Sequence, residues 1–310
     1  MESLNRMALE LVDEALEFTD ELAIDAFELD NGATVLDFGV EATGGVEAGL
    51  LLAEIQSAGL ATVASTLDAV AGAPRTHVEV TTDHPALALL CAQKAGWEVS
   101  VEGYEALGSG PARALVAEEE VFARIGYADA FEFAVLALES DDLPDEAVAE
   151  HVADLAGVDP GSVFLPTYAT AGLTGSVATA ARGAELAAFR LSELGYDPLD
   201  VLSATASVPV APVPGDEATA MARTNDAIAY GGRVHLTVDA PFARFDEVPS
   251  TAREEYGRPF VDVFDDADWE FEGIPESVFA PAQVTVDVVG GDVHSLGETD
   301  ERLVAESFGL

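Results

Sequence analysis

The sequence predicts a mixed α/β (α+β) fold, and three observations carry that reading. Hydrophobic residues make up 49% of the 310, with a mean hydropathy of +0.22, so the chain can bury a large core. Segments alternating with period two and segments with helical period follow one another, without the regular spacing of βαβ units. Early and late strand pairs predict antiparallel pairing as well.

Taken in order, residues 2–20 read as an acidic amphipathic helix. The Asn31-Gly32 turn between AFEL and ATVLDF predicts a hairpin. Gly44-Gly45 opens an apolar helix near 46–57, and LATVAST and HVEVTTD alternate like strands. Pro85 starts a helix, PALALLCAQKAG, that stops at Gly96. WEVSVEGY is a predicted strand, and GSGP leads into the helix PARALVAEEEVFARI. FAVLALE is a buried strand, LPDEAVAEHVADLAG a capped helix ended by Gly157, and VFLPTY a strand. Residues 175–194 form one long Ala-rich helix, and DEATAMARTNDAIAY another. Gly231-Gly232 turns into strand RVHLTVD, and further strands are expected around 259–264 and 282–289. The segments VEATGGVEAGLLLAEIQSAGL and YATAGLTGSVATAARGAELAAFRLSELGY echo each other as glycine-rich entries into Ala/Leu helices.

Charge narrows the class. There are 58 Asp and Glu against 13 Lys and Arg, a formal net charge of −45. The acids are spread along the chain, with no acidic tail and no basic stripe, so nucleic-acid binding is excluded. Self-repulsion of this size is largely screened at molar salt, where the Debye length is about 3 Å. Dispersed acids, abundant Ala and a single lysine, Lys94, read as adaptation to a salt-rich cytoplasm. One cysteine makes neither an internal disulfide nor a metal cluster, and the five histidines lack ligand spacing, so no metal site is expected. The acidic N-terminal helix is no signal peptide, and Glu54 and Gln56 interrupt the apolar run that could pass for a membrane span. A soluble cytoplasmic protein is expected.

Several segments could carry chemistry. GSGPARAL, residues 108–115, is a glycine-rich turn followed by Pro111 and Arg113; free N–H groups there suit an anion, or the turn is an ordinary helix cap. In ATAARGAELAAFR, Arg182 and Glu185 share a helix face at i, i+3. Such a pair is commonly an exposed ion pair, but the neighbours are Ala, Gly, Leu and Phe. A guanidinium beside a carboxylate in apolar surroundings favours the charged form, as a general base for water requires. ARTNDAIAYGG concentrates Arg223, Asn225 and Asp226 before a turn, and Glu139 ends a strand, where α/β sheets commonly meet ligands.

Together, ELDNGATVLDFGVEATGGVEAGL, VTTDHPALALLCAQKAGWEV, YEALGSGPARAL, LESDDLPDEAVAEHVADLAGVDP, GSVATAARGAEL, ARTNDAIAYGG, EYGRPFVDVF, VFAPAQV and the terminal ESFGL resemble, in order and over essentially the whole chain, the methenyltetrahydromethanopterin cyclohydrolases. The resemblance implies two intertwined α/β domains with a pocket between them, divided as residues 1–90 plus 265–310 and residues 91–264. It also implies a homotrimer that binds a small-molecule pterin, uses no cofactor, and takes no nucleic-acid or membrane partner. The implied reaction is reversible hydrolysis of a cationic methenyl tetrahydropterin to the 5-formyl compound, with Glu185 as base and later acid and Arg182 holding it. The resemblance carries a lysine at Lys94, which implies a substrate contact; the alternative is a cation mildly favoured at a helix C-terminus. Ser109, Gly110 and Arg113 are implied at the carrier's phosphate, and Glu139, Asn225 and Asp226 at the pterin edge. Tetrahydrofolate as carrier, and a non-catalytic pterin-binding protein, remain open alternatives at this level.

Overall fold

The computed structural model describes residues 3–254, 256–267, 269, 274 and 278–310. Its α-helices are α1 (Leu4–Glu17), α2 (Thr19–Leu22), α3 (Val46–Gln56), α4 (Arg113–Val116), α5 (Glu120–Ile125), α6 (Glu146–Ala156), α7 (Leu173–Ala180), α8 (Gly183–Glu193), α9 (Glu217–Gly231), α10 (Phe260–Asp266) and α11 (Glu301–Phe308). The strands are β1 (Asp25–Glu28), β2 (Thr34–Asp37), β3 (Thr62–Val70), β4 (Ala73–Thr82), β5 (Ala95–Val101), β6 (Tyr104–Ser109), β7 (Ala134–Val135), β8 (Ala137–Glu139), β9 (Val163–Tyr168), β10 (Val201–Pro209), β11 (Arg233–Val238), β12 (Gln283–Val288) and β13 (Val293–Gly297). A π-helix, Ala86–Gln93, precedes β5. Among the described residues no helix is long and apolar enough to cross a membrane.

The chain divides into two interleaved units, Met1–Thr62 with Ala86–Ala178 and Val63–Pro85 with Thr179–Leu310. These bounds differ from the expected division of 1–90 plus 265–310 and 91–264. The reason is strand pairing: β4 hydrogen-bonds to β10, which draws 63–85 into the second unit, whereas β5, β6 and β8 join the sheet of β2 and β9.

In the first unit the sheet order is β1-β2-β9-β8-β6-β5, with β7 also on β9. β2, β9 and β8 run parallel, and antiparallel pairs flank them. The Asn31-Gly32 turn makes the expected hairpin, Gly32 taking φ +89°. Leu136, Leu138, Val163 and Leu165 bury against Val148 and Val152 of α6, each full burial contributing about 1.5–3 kcal/mol. That helix starts where the Asp145 carboxylate accepts from the Ala147 and Val148 amides, and it ends at Gly157, φ +70°. The two echoing segments, 40–60 and 168–196, come off the ends of the adjacent parallel strands β2 and β9, the first leading through a glycine-rich loop into α3 and the second into α7 and then α8.

In the second unit the order is β13-β12-β11-β10-β4-β3. Strict alternation gives this sheet one apolar face: Val284, Val286 and Val288 are buried on β12, and Ala204, Ala206 and Val208 on β10. Two expectations change here. The helix foreseen over 175–194 is two, α7 and α8, divided at Ala181-Arg182. The strand foreseen around 259–264 is instead α10, because Phe260, Val263 and Phe264 bury at i, i+3 and i+4.

Asp226 lies inside this unit, 3% exposed. Its Oδ1 accepts from the Phe260 amide at 2.8 Å and its Oδ2 from the Ser307 hydroxyl at 2.7 Å, tying α9 to α10 and α11. Burial pushes its carboxyl up to about 6. In the unfolded chain this group loses its proton near pH 4. Stability therefore falls as pH rises from about 4 to about 6, by on the order of 3 kcal/mol, and levels off above. Asp226→Asn retains both contacts, its oxygen accepting from Phe260 and its NH₂ donating to Ser307. Thermal unfolding in molar KCl is expected to show the variant more stable than the parent above pH 6, with the pH 4–6 decline gone. An unchanged decline would assign it to other groups.

Candidate active site

Arg182 and Glu185 stand where α7 ends and α8 begins. Arg182 is the N-cap residue of α8 and Glu185 lies in its first turn. Negative charge is favoured there by the unpaired amides and the dipole of an 11-residue helix. Glu185 is 1% exposed, and its Oε2 accepts from both Nε and Nη2 of Arg182 at 3.1 Å. The surrounding residues Ala181, Ala184, Ala187 and Ala188 are buried. This is a desolvated carboxylate held from one side by a fixed cation. It can take a proton from a water and return it, and it can stabilise a cationic substrate.

The position of Glu185 depends on Gly183. A Cβ at Gly183 would meet Val208 Cγ2 at 2.7 Å, so only glycine lets α8 start this close to β10. Val208 is β-branched and fully buried, so it has no room to yield. Gly183→Ala is expected to displace the first turn of α8 and lower kcat about tenfold or more with helicity retained. An unchanged kcat would mean that the turn tolerates the shift.

The expectation of an anion site at Arg113 is corrected by the geometry. Arg113 is 1% exposed and turned inward. Its Nη1 donates to the carbonyls of Ala92 (3.3 Å) and Lys94 (2.7 Å), and its Nη2 to Leu90 (3.4 Å). Nε and Nη2 also form a fork on Glu119, both at 2.8 Å. Arg113 thus caps the C-terminal end of the π-helix, supplying donors for carbonyls that the helix leaves open. Ser109 and Gly110 serve the same packing. Ser109 is buried and accepts from Gln56 Nε2 at 2.9 Å, and the Gly110 amide donates to Ala92 O at 2.9 Å.

Lys94 follows the π-helix directly, and its Nζ lies 3.2 Å from Glu119 Oε2 with the side chain 17% exposed. Gly96 makes room for this cluster, since a Cβ there would lie 2.6 Å from Arg113 Nε and 2.9 Å from the Glu119 carboxylate. The one cysteine, Cys91, is buried in the same π-helix, and burial pushes its thiol up to about 12, so it is no nucleophile at neutral pH.

The remaining expected residues are dispersed. Glu139 ends β8 half-buried, accepting from the Thr170 and Tyr168 hydroxyls. The Asn225 carboxamide donates to Met221 O at 2.8 Å, within α9. Asp226 faces its own unit's interior as described, which corrects its assignment to the pterin edge. Two structural residues escaped the sequence. Glu119 reads as one of three consecutive acids on a helix, and nothing in EEE singles it out. Asp37 accepts from the amides of Gly39, Val40, Glu41 and Ala42, fixing the loop after β2; the short polar side chain before a glycine was the available signal.

The family described as Cyclohydrolase (MCH) matches residues 3–308. The methenyltetrahydromethanopterin cyclohydrolase of Halobacterium salinarum is 63% identical over 310 residues, covering 100% of both chains. The protein of the same name from Methanosphaerula palustris is 41% identical over 314 residues, covering 100% of both. The one from Methanosarcina barkeri is 38% identical over 318 residues, covering 100% of this chain and 99% of its own.

Proposed function

The chain belongs to the methenyltetrahydromethanopterin cyclohydrolase family, and on that premise we propose that it reversibly hydrolyses 5,10-methenyltetrahydromethanopterin to the 5-formyl compound, with Glu185 moving the proton. The observation that carries the reading is the buried Glu185 carboxylate with Arg182 on Oε2. The methenyl carbon lies between N5 and N10 and shares their positive charge, so it is electrophilic without a metal or cofactor. Water adds to that carbon as Glu185 takes one of its protons, giving a neutral carbinol. Glu185 then returns the proton to N10 as the C–N10 bond breaks. The carbinol O–H gives up its proton as the formyl C=O forms on N5, so the net reaction releases one proton. Both Arg182 bonds fall on Oε2, which leaves Oε1 as the oxygen toward water. Arg182 also offsets over-stabilisation of the cationic ground state.

Lys94 meets the carrier, and Glu139 and Asn225 read the pterin edge. The enzyme is a cytoplasmic homotrimer adapted to molar salt, in keeping with its −45 charge.

The test follows loss of methenyl absorbance in molar KCl with methenyl-tetrahydromethanopterin and with methenyl-tetrahydrofolate. Turnover of the first alone is expected. Turnover of the folate alone would reassign the carrier. A perturbed spectrum with no turnover by the folded protein would indicate binding without catalysis.

A further inference from the structure

The cluster around the only lysine has an order of dependence. Arg113 has five N–H groups and five contacts: three with carbonyls of the π-helix end and two with Glu119. Fully buried and so engaged, it has one orientation, and its fork gives the Glu119 carboxylate one orientation too. Glu119 Oε2 then accepts a second bond, from Lys94 Nζ. Lys94 is the last link. Its backbone carbonyl is held by Arg113 and its ammonium by Glu119, so both ends of its long side chain are fixed.

We infer that Glu119 is a positioning residue for Lys94, acting on the substrate only through that ammonium; the inference rests on the reading of Lys94 as a carrier contact. It also accounts for the residue type. Each Glu119 oxygen already holds one prong of the Arg113 fork, so what Oε2 offers a second cation is a single lone pair, which suits a compact ammonium, whereas a guanidinium there would lose its two-point geometry. Twelve of the thirteen Lys and Arg positions are arginine, and this is the one whose carboxylate partner already holds an arginine fork.

The experiment is a double-mutant cycle in molar KCl with methenyl-tetrahydromethanopterin, using Lys94→Met, Glu119→Gln, the pair, and Lys94→Arg. Each single variant is expected to raise KM on the order of tenfold, the loss of one charge-assisted hydrogen bond, with kcat within about threefold. The pair is expected to be no worse than either single variant, and Lys94→Arg not to restore KM. Multiplying effects, or a normal KM in Glu119→Gln beside a raised one in Lys94→Met, would overturn the inference. Should Glu119→Gln not fold, Glu119→Asp preserves the charge facing Arg113 while drawing back from the ammonium, and takes its place in the cycle. A second readout is independent of substrate: the rate of reductive methylation of the one ε-amine is expected to rise several-fold in the Glu119 variant. A normal KM in Lys94→Met with that rise present would sink the carrier contact but not the restraint; an unchanged rate would sink the restraint itself.

Discussion

Glu185→Gln is expected to lower kcat roughly 10²-fold or more without loss of fold. The amide has the same shape, and its oxygen can still accept from Arg182, whose Nε and Nη2 both point at one atom of residue 185. That choice turns the NH₂ toward the position from which a base must act, and an amide takes no proton there. The first turn of α8 and the buried alanines around it supply no second carboxylate. The substitution also removes the negative charge that attracts a cationic substrate, so KM should rise. Steady-state absorbance assays in molar KCl decide the matter. A kcat within threefold of the parent would place the base elsewhere.

The largest stability effect is expected from Arg113→Met. Methionine fills much of the volume but leaves the Glu119 carboxylate part-buried without its fork and removes the guanidinium donors from the Leu90, Ala92 and Lys94 carbonyls, of which Ala92 keeps the Gly110 amide. Breaking a buried ion pair from one side costs about 3–5 kcal/mol. In a chain of this size that lowers Tm by roughly 10 °C. The exposed pair Arg302–Glu306, with side chains 73% and 68% exposed, is the control, and Arg302→Ala should change stability by less than about 1 kcal/mol. Raising KCl from 1 to 3 M should not restore Arg113→Met, because salt screens exposed charges far more than a part-buried carboxylate and replaces no hydrogen bond. A loss no larger than the control's would mean that water replaces the guanidinium.

Legibility in the sequence followed the range of the forces involved. The hairpin at Asn31-Gly32 and the helix from Asp145 to Gly157 were readable because turn and cap chemistry lies within a few residues. The Arg182–Glu185 pair was readable as an i, i+3 contact, although its 1% exposure was not. β10 was missed because SATAS is small and polar, and its strand state comes from lying between β4 and β11. The π-helix was read as an ordinary helix: ALALLCAQ suits either, and its wider turn is supported by Arg113, which lies beyond β5 and β6 in the chain. The same contact explains the Arg113 error. A glycine-rich turn before a helix signals available amides, but the sequence does not say which way the first long side chain folds.

The lone lysine also gives the chain a built-in cleavage reporter. A lysine-specific protease has one bond to cut in 310 residues, after Lys94, at the junction of the π-helix with β5. The Lys94 amide donates to Leu89 O and its carbonyl accepts from Arg113, so the bond reaches a protease only when this junction opens. Native digestion would then yield two fragments, 1–94 and 95–310, at a rate set by local opening of that one region, read from a gel without any label.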